Sequence, residues 1–97
     1  MKNGVYMTRG IKNCIDEGEI NPYILRISLS RFDSNDWGEL CKDDTELQNE
    51  LLKEKNSKIN NRFIGSYTSN KTKFWIISEY DYTEKTLITT ILLPEEY

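Results

Sequence analysis

The last third of the chain constrains its fold most strongly. Residues 64–97 read IGSYTSNKTKFWIISEYDYTEKTLITTILLPEEY, in which three short apolar runs are separated by polar, turn-forming segments. Short apolar runs bounded by turn residues are typical of an antiparallel β-meander. The run at residues 74–77, Phe-Trp-Ile-Ile, has no polar alternation, which predicts a middle strand that is buried on both faces or that leaves an aromatic side chain exposed. We expect strands over about Arg62–Thr68, Lys73–Glu79 and Thr86–Leu93, with turns at Ser69–Lys71 and Asp81–Lys85.

The residues before the meander predict one short strand followed by helices. Thr8 and the pair Asn21-Pro22 are N-terminal helix signals, because a threonine or asparagine side chain can accept from a free helical N–H and proline tolerates the first helical position. On the third helix, Leu47 and Leu51 are expected to face the core. The expected elements are an edge strand at Val5–Met7, helices over about Arg9–Glu17, from Pro22, and over about Asp44–Lys55, a helical turn at Trp37–Lys42, and a polar linker at Asn56–Asn61.

Together these elements predict a small α+β protein of order β-α-α-α-β-β-β, with helices packed on one face of a three- to four-stranded antiparallel sheet. A chain of 97 residues predicts a single domain over residues 1–97. No apolar run approaches the roughly 20 residues that cross a bilayer, and the N-terminal residues lack a secretory apolar stretch, so we expect a cytoplasmic protein. Cys14 and Cys41 lack CxxC spacing and are expected to be reduced, buried residues, with a disulfide between them left open.

The chain contains no histidine, which removes the commonest general base at neutral pH and the commonest metal ligand. Its five glycines are scattered and form no phosphate-binding loop. We therefore expect no catalytic residues, no metal and no cofactor. Two nuclease alternatives stay open: a Mg²⁺ site built from Asp36, Glu39, Asp43, Asp44, Glu79 and Asp81, the first four of which also suit helix capping, or a metal-free site built from Arg31, Lys58, Arg62 and Tyr67.

Charge is distributed in blocks of alternating sign. Residues 33–54 contain eight acids and two bases, whereas residues 55–75 contain five bases and no acid. Such blocks indicate two surfaces of different potential on a small body. The acidic block predicts a partner-binding surface made by Asp33, Asp36, Trp37, Glu39, Asp43 and Asp44, with Tyr82 as a second aromatic anchor. The alternative is a nucleic-acid surface made by Lys58, Arg62, Tyr67, Lys71 and Lys73.

Several segments resemble a family of small bacterial proteins of phages, plasmids and other mobile elements, described as plasmid-related proteins. The resemblance is carried by LSRFDSNDWGELCKDD, Asn49, IGSY, FWIISEYD and TTILLPEEY, and it covers Leu29–Tyr97. Phe32 stands where the family pattern has a histidine, and Tyr82 stands where it has an arginine. A histidine-based activity of the family would therefore be lacking here.

The resemblance implies a genomic setting in which small acidic proteins often inhibit host defence. We therefore expect a non-enzymatic protein-binding module, of the kind that inhibits a defence nuclease stoichiometrically, as anti-CRISPR and anti-restriction proteins do. The alternatives are a small nucleic-acid-binding accessory protein and a small nuclease or toxin. The expected partner is a protein, which would include a nucleic-acid-binding defence effector. The chain itself is expected to be a monomer or a homodimer that pairs through a sheet edge.

Overall fold

The computed structural model describes residues 2–97, with side chains from Gly4 onward. Within this range the chain forms four strands, four helices and a final 3-10 turn. In chain order these elements are β1 (Lys2–Met7), α1 (Arg9–Asp16), α2 (Pro22–Asp33), α3 (Lys42–Leu51), α4 (Ser57–Asn60), β2 (Phe63–Ser69), β3 (Thr72–Asp81), β4 (Thr86–Leu92) and the turn Pro94–Glu96.

The strands form one sheet in the order β1-β4-β3-β2. The β2-β3-β4 meander is antiparallel, as predicted, and β3 lies inside the sheet. The prediction of a purely antiparallel sheet is wrong, because β1 pairs with β4 in parallel and the sheet is mixed. Parallel pairing brings the ends of β1 and β4 together, so that Glu96 can accept from the Thr8 hydroxyl (2.6 Å) and the Gly10 N–H (3.1 Å) at the start of α1.

The helices cover one face of the sheet, and the α+β prediction is confirmed. Alternate residues of the strands point toward them, because side chains alternate between the two faces of a strand. From the helices, Ile11 of α1 and Phe32 of α2 lie in the core that forms between helices and sheet. The strand side of this core is formed by Phe63, Tyr67, Phe74, Ile76 and Ile91, each at most 1% exposed.

Three local predictions about the middle of the chain are wrong. The residues expected to form a helical turn at Trp37–Lys42 form no helix before Lys42; instead Gly38 forms an isolated bridge with Ser66 of β2. Leu47 is 60% exposed while its neighbour Gln48 is buried, so α3 turns a polar residue inward. The linker predicted at Asn56–Asn61 contains the short helix α4.

The two cysteines are free and differ in exposure. Cys14 is buried, as predicted, and its thiol lies 3.8 Å from the Glu19 carboxylate. Burial, together with Glu19, raises the pKa of the Cys14 thiol. Cys41 is exposed, so the prediction of burial is wrong for it, because the backbone at this residue starts α3 rather than crossing the core.

Candidate protein-binding surfaces

The outer edge of β2 is closed by the chain itself. Ser66 N–H donates to the Trp37 carbonyl (3.0 Å), and Glu39 N–H donates to the Ser66 carbonyl (2.6 Å). Gln48 adds a second closure, since its Oε1 accepts from the Ile64 N–H (2.9 Å) and its Nε2 donates to the Ile64 carbonyl (3.0 Å). The outward backbone groups of Ile64 and Ser66, which a free edge would present to other chains, are therefore used internally.

Gly38 makes this closure possible. Its φ is +70°, in the left-handed region, and a Cβ at this position would meet the Ser66 carbonyl oxygen and the Tyr67 ring. Only glycine can hold such a backbone conformation while approaching another strand so closely. The Asp-Trp-Gly element that stood out in the sequence therefore covers the edge of β2.

The outer edge of β1 is different, because no part of the described chain covers it. Val5 and Tyr6 are 57% and 58% exposed, and Met7 is 39% exposed. Val5 pairs with Thr89 and Met7 with Ile91, so these two side chains lie on the helix side of the sheet, while Tyr6 lies on the other. The edge thus exposes apolar side chains on both faces. Natural proteins usually protect such edges with charge, proline or a covering segment.

An apolar groove of about 450 Å³ runs between β1 and the helices α1 and α2. Two cations, Lys12 of α1 and Arg26 of α2, are among its lining residues, and that lining includes no carboxylate. The groove therefore combines an apolar lining with two positive charges. Its other lining residues are Val5, Tyr6, Met7, Ile15, Pro22, Leu25, Leu29 and Ile91.

The acidic residues predicted to bind a partner are exposed and lie near the β2 edge, at the opposite end of the sheet from β1. Asp43 and Asp44 occupy the first turn of α3, where negative charge is stabilised by the helix dipole. The expectation that acids provide the helix caps is wrong, because Cys41 is the N-cap residue of α3. Glu39 is hydrogen-bonded to the Thr68 hydroxyl (2.9 Å), and Asp33 is exposed at the end of α2.

Asp36 is held in place by local contacts. Its carboxylate forms an ion pair with Arg31 (Nε–Oδ2 2.8 Å) and accepts from the Gly38 N–H (3.0 Å). The Arg31 hydrogen bond, and then the Gly38 N–H, lower the pKa of the Asp36 carboxyl. The Tyr67 hydroxyl donates to the Asp36 carbonyl (2.7 Å). Asp36 therefore shapes the turn that leads to Trp37.

Trp37 cannot be an exposed anchor, because it is 3% exposed. Its indole N–H donates to the Asn49 Oδ1 (3.0 Å), and its ring stacks on Phe63 and meets Phe32 edge-on. The Lys58 ammonium lies 5.1 Å from the Trp37 ring centroid. The tryptophan closes the core beneath the acidic surface, which corrects its predicted role in partner contact.

Tyr82, the second predicted anchor, is 66% exposed. Its hydroxyl donates to the Ile59 carbonyl of α4 (3.2 Å), and its ring meets Tyr80 edge-on at 4.9 Å. No contact in the described structure joins it to the acidic residues of the 33–44 segment. Tyr82 and those carboxylates therefore form no common cluster.

The basic residues of the alternative surface are dispersed. Tyr67 is 1% exposed, so its ring cannot stack on a base, and burial raises the pKa of its hydroxyl. Lys58 is half-buried over three aromatic rings, and burial lowers the pKa of its ammonium. Lys73 pairs with Thr68 and so faces away from Tyr67. Arg62 lies over the Tyr97 ring, and Lys71 is in the β2–β3 turn.

The carboxylates considered for a Mg²⁺ site do not converge. Among residues 2–97, no group of three or more aspartate, glutamate or cysteine side chains is arranged to hold a metal ion. Glu79 pairs with Ile88 within the sheet, and Asp81 caps its own turn by accepting from the N–H groups of Thr83 and Glu84. In the same range, no helix is long and apolar enough to cross a membrane.

In comparisons with known proteins, no protein-family model, no curated protein and no solved structure matches this chain. The family resemblance drawn from the sequence stays a prediction. Sequence reasoning considered a sheet edge only for pairing in a homodimer, and it did not predict the groove beside β1. The sequence signal for this groove was the apolar run Val5–Met7, which was expected to be an edge strand, but nothing in the local pattern joined it to Lys12 and Arg26.

Proposed function

We propose that this protein is a non-enzymatic protein-binding module that receives an extended segment of a partner on the free edge of β1. The observation that carries the proposal is the difference between its two sheet edges. The chain closes β2 with Gln48 and the segment around Gly38, but leaves three apolar residues exposed on β1. Strand addition to an exposed edge is a recurring mode of peptide recognition.

The narrower proposal is that binding inhibits a host defence nuclease stoichiometrically. It is supported by the family resemblance of Leu29–Tyr97, which implies a mobile-element setting. It is also supported by the exposed carboxylates of Asp33, Asp43 and Asp44, which suit a basic partner surface. In this proposal the β1 edge provides the pairing contact and the acidic surface provides long-range attraction.

The test compares variants at one position of the edge. Val5→Pro removes an N–H and places a ring on the strand, whereas Val5→Thr keeps the N–H and a β-branched side chain. The two proteins and the wild type are immobilised and exposed to a nuclease-treated lysate of the bacterial host. We expect a stoichiometric protein partner to bind the wild type and Val5→Thr, and to be lost from Val5→Pro.

Amide hydrogen exchange keeps the test valid if Val5→Pro is poorly folded. In the wild type, partner binding should slow exchange at Val5 and Met7 while leaving the already bonded Ile64 and Ser66 N–H groups unchanged. A partner that binds Val5→Pro as well as the wild type, or that protects only residues far from β1, contradicts the proposal. Retention that depends on nucleic acid also contradicts it.

A further inference from the structure

The free edge of β1 presents a defined set of backbone groups. Thr8 N–H donates to the Ile91 carbonyl (3.1 Å), which fixes the residues of this strand that point toward β4. Backbone groups of successive strand residues point to opposite neighbours, so the N–H and C=O groups of Val5 and Met7 point outward. A strand placed beside β1 would find two donors and two acceptors at this spacing.

The side chains of such a strand would have different surroundings on its two faces. Those on the helix side would enter the groove beside Val5 and Met7, where the lining is apolar. Those on the other side would lie beside Tyr6, whose ring lies over Gly4. The helix-side positions therefore decide which sequence the groove accepts.

Charge at the groove distinguishes between occupants. Lys12 and Arg26 lie in its wall, and its lining includes no acid among the residues that the structure describes. A second copy paired antiparallel through β1 would be related by a two-fold axis perpendicular to the sheet. That symmetry places the helices of both copies on the same face, with both pairs of cations along one seam. Like charges brought together in this way oppose association.

We infer that the β1 edge takes an extended acidic segment of another protein, with apolar side chains in the groove and carboxylates facing Lys12 and Arg26. This inference rests on the proposed function and names the chemistry of its ligand. The net charge of the whole chain is −3, so attraction of an acidic ligand must be local to this groove. Local attraction of this kind is screened by salt.

The test uses two labelled six-residue peptides with free choice of register. One has valine, glutamate and glutamate at alternate positions with threonine between them, and the other has lysine in place of both glutamates, so that the groove-facing residues share one strand face and the length and threonine positions are identical. Binding to the full chain is followed by fluorescence anisotropy and by amide shifts at Val5 and Met7. We expect the acidic peptide to bind about tenfold more tightly at low salt, since two exposed ion pairs together contribute about that factor. The preference should shrink toward unity at about 0.5 M salt.

Charge reversal supplies the control. The double variant Lys12→Glu, Arg26→Glu should prefer the lysine peptide. A matched double variant, Lys55→Glu with Lys73→Glu, changes the net charge equally but alters residues outside the groove, and should keep the preference for the acidic peptide.

The outcomes separate this inference from the proposed function. Equal binding of both peptides, with shifts at Val5 and Met7, overturns the acidic-ligand inference while strand addition stands. A dimer in sedimentation, with those two amides protected in the absence of peptide, overturns it in favour of a second copy. Binding of either peptide or the native partner without any change at β1 overturns both.

Discussion

Gln48 should be one of the most sensitive polar positions in the chain, because it alone bonds both backbone groups of Ile64. The side chain is 6% exposed and its two hydrogen bonds measure 2.9 and 3.0 Å. Gln48→Leu keeps the volume but leaves a donor and an acceptor without partners. Each unmet group costs about 1–3 kcal/mol when buried, and Ile64 is only half-buried, so we expect a total loss of about 2 kcal/mol. For a domain of this size that loss lowers Tm by roughly 8–16 °C.

Gln48→Glu gives the same position a dependence on pH. The ionised carboxylate can still accept from the Ile64 N–H, but it faces the Ile64 carbonyl without a proton to donate. The protonated form donates to that carbonyl, so burial and hydrogen bonding raise the folded-state pKa of the new carboxyl above its unfolded value near about 4.3. The folded state then binds more protons. The stability contribution is therefore present below about pH 4 and is lost as pH rises through the folded-state pKa.

Urea unfolding of the wild type, Gln48→Leu, Gln48→Glu and the control Glu46→Leu between pH 4 and pH 8 checks both expectations. Glu46 is exposed on the same helix, so its substitution should change the free energy of unfolding by less than about 0.5 kcal/mol. The reasoning is refuted if Gln48→Leu costs no more than Glu46→Leu. It is also refuted if the gap between Gln48→Glu and the wild type is the same at pH 4 and pH 8.

Three further predictions concern other contacts. The Thr8 hydrogen bond, with the Leu93 and Gly10 N–H groups, lowers the pKa of the Glu96 carboxyl in the folded state. The stabilisation that Glu96 provides is therefore present above the unfolded-state pKa and is lost as pH falls through the folded-state pKa. Chemical unfolding should show that Glu96→Gln costs about 1 kcal/mol at pH 7 and differs less from the wild type at pH 3. In thermal unfolding, Gly38→Ala should lower the free energy of unfolding by at least about 2 kcal/mol. Gly18→Ala should lower it by about 1 kcal/mol, because Gly18 shares a positive φ but has open space for a Cβ. Equal losses would refute the argument that Gly38 is needed for the close approach to Ser66. Ellman titration of the native protein should label Cys41 at once and Cys14 only on unfolding, and two fast thiols would contradict the burial of Cys14.

Local sequence signals were reliable where one segment determines its own structure. The apolar runs of the meander produced β2, β3 and β4 within a few residues of their predicted bounds, because hydrophobic periodicity and turn residues act over short distances. Thr8 and Asn21 cap α1 and α2 as expected, each accepting from a backbone N–H of the helix that follows. These features need no information from distant residues.

The same signals failed where distant segments compete for a residue. The acids of Asp36-Trp37-Gly38-Glu39 suit a helix start, but hydrogen bonds from this segment to Ser66 form in place of a helical turn. Leu47 has the apolar character of a core residue, yet Gln48 is turned inward because the edge of β2 needs a partner for both groups of Ile64. Satisfying buried backbone groups outweighs the local amphipathic pattern here.

The sequence by itself determined the α+β class, the meander and the helix starts, since these depend on period, turn chemistry and capping within a few residues. Only the tertiary structure decided that β1 runs parallel to β4, that one sheet edge is closed and the other free, and that Lys12 and Arg26 share a groove with Val5 and Met7. The direction of β1 depends on contacts between residues more than 80 positions apart, such as Thr8 with Glu96. Closure of the β2 edge depends on contacts of Gly38 with Ser66 and of Gln48 with Ile64, which belong to different elements. A local sequence pattern carries no information about such contacts. The surface most suited to binding is therefore decided by the packing of the whole chain.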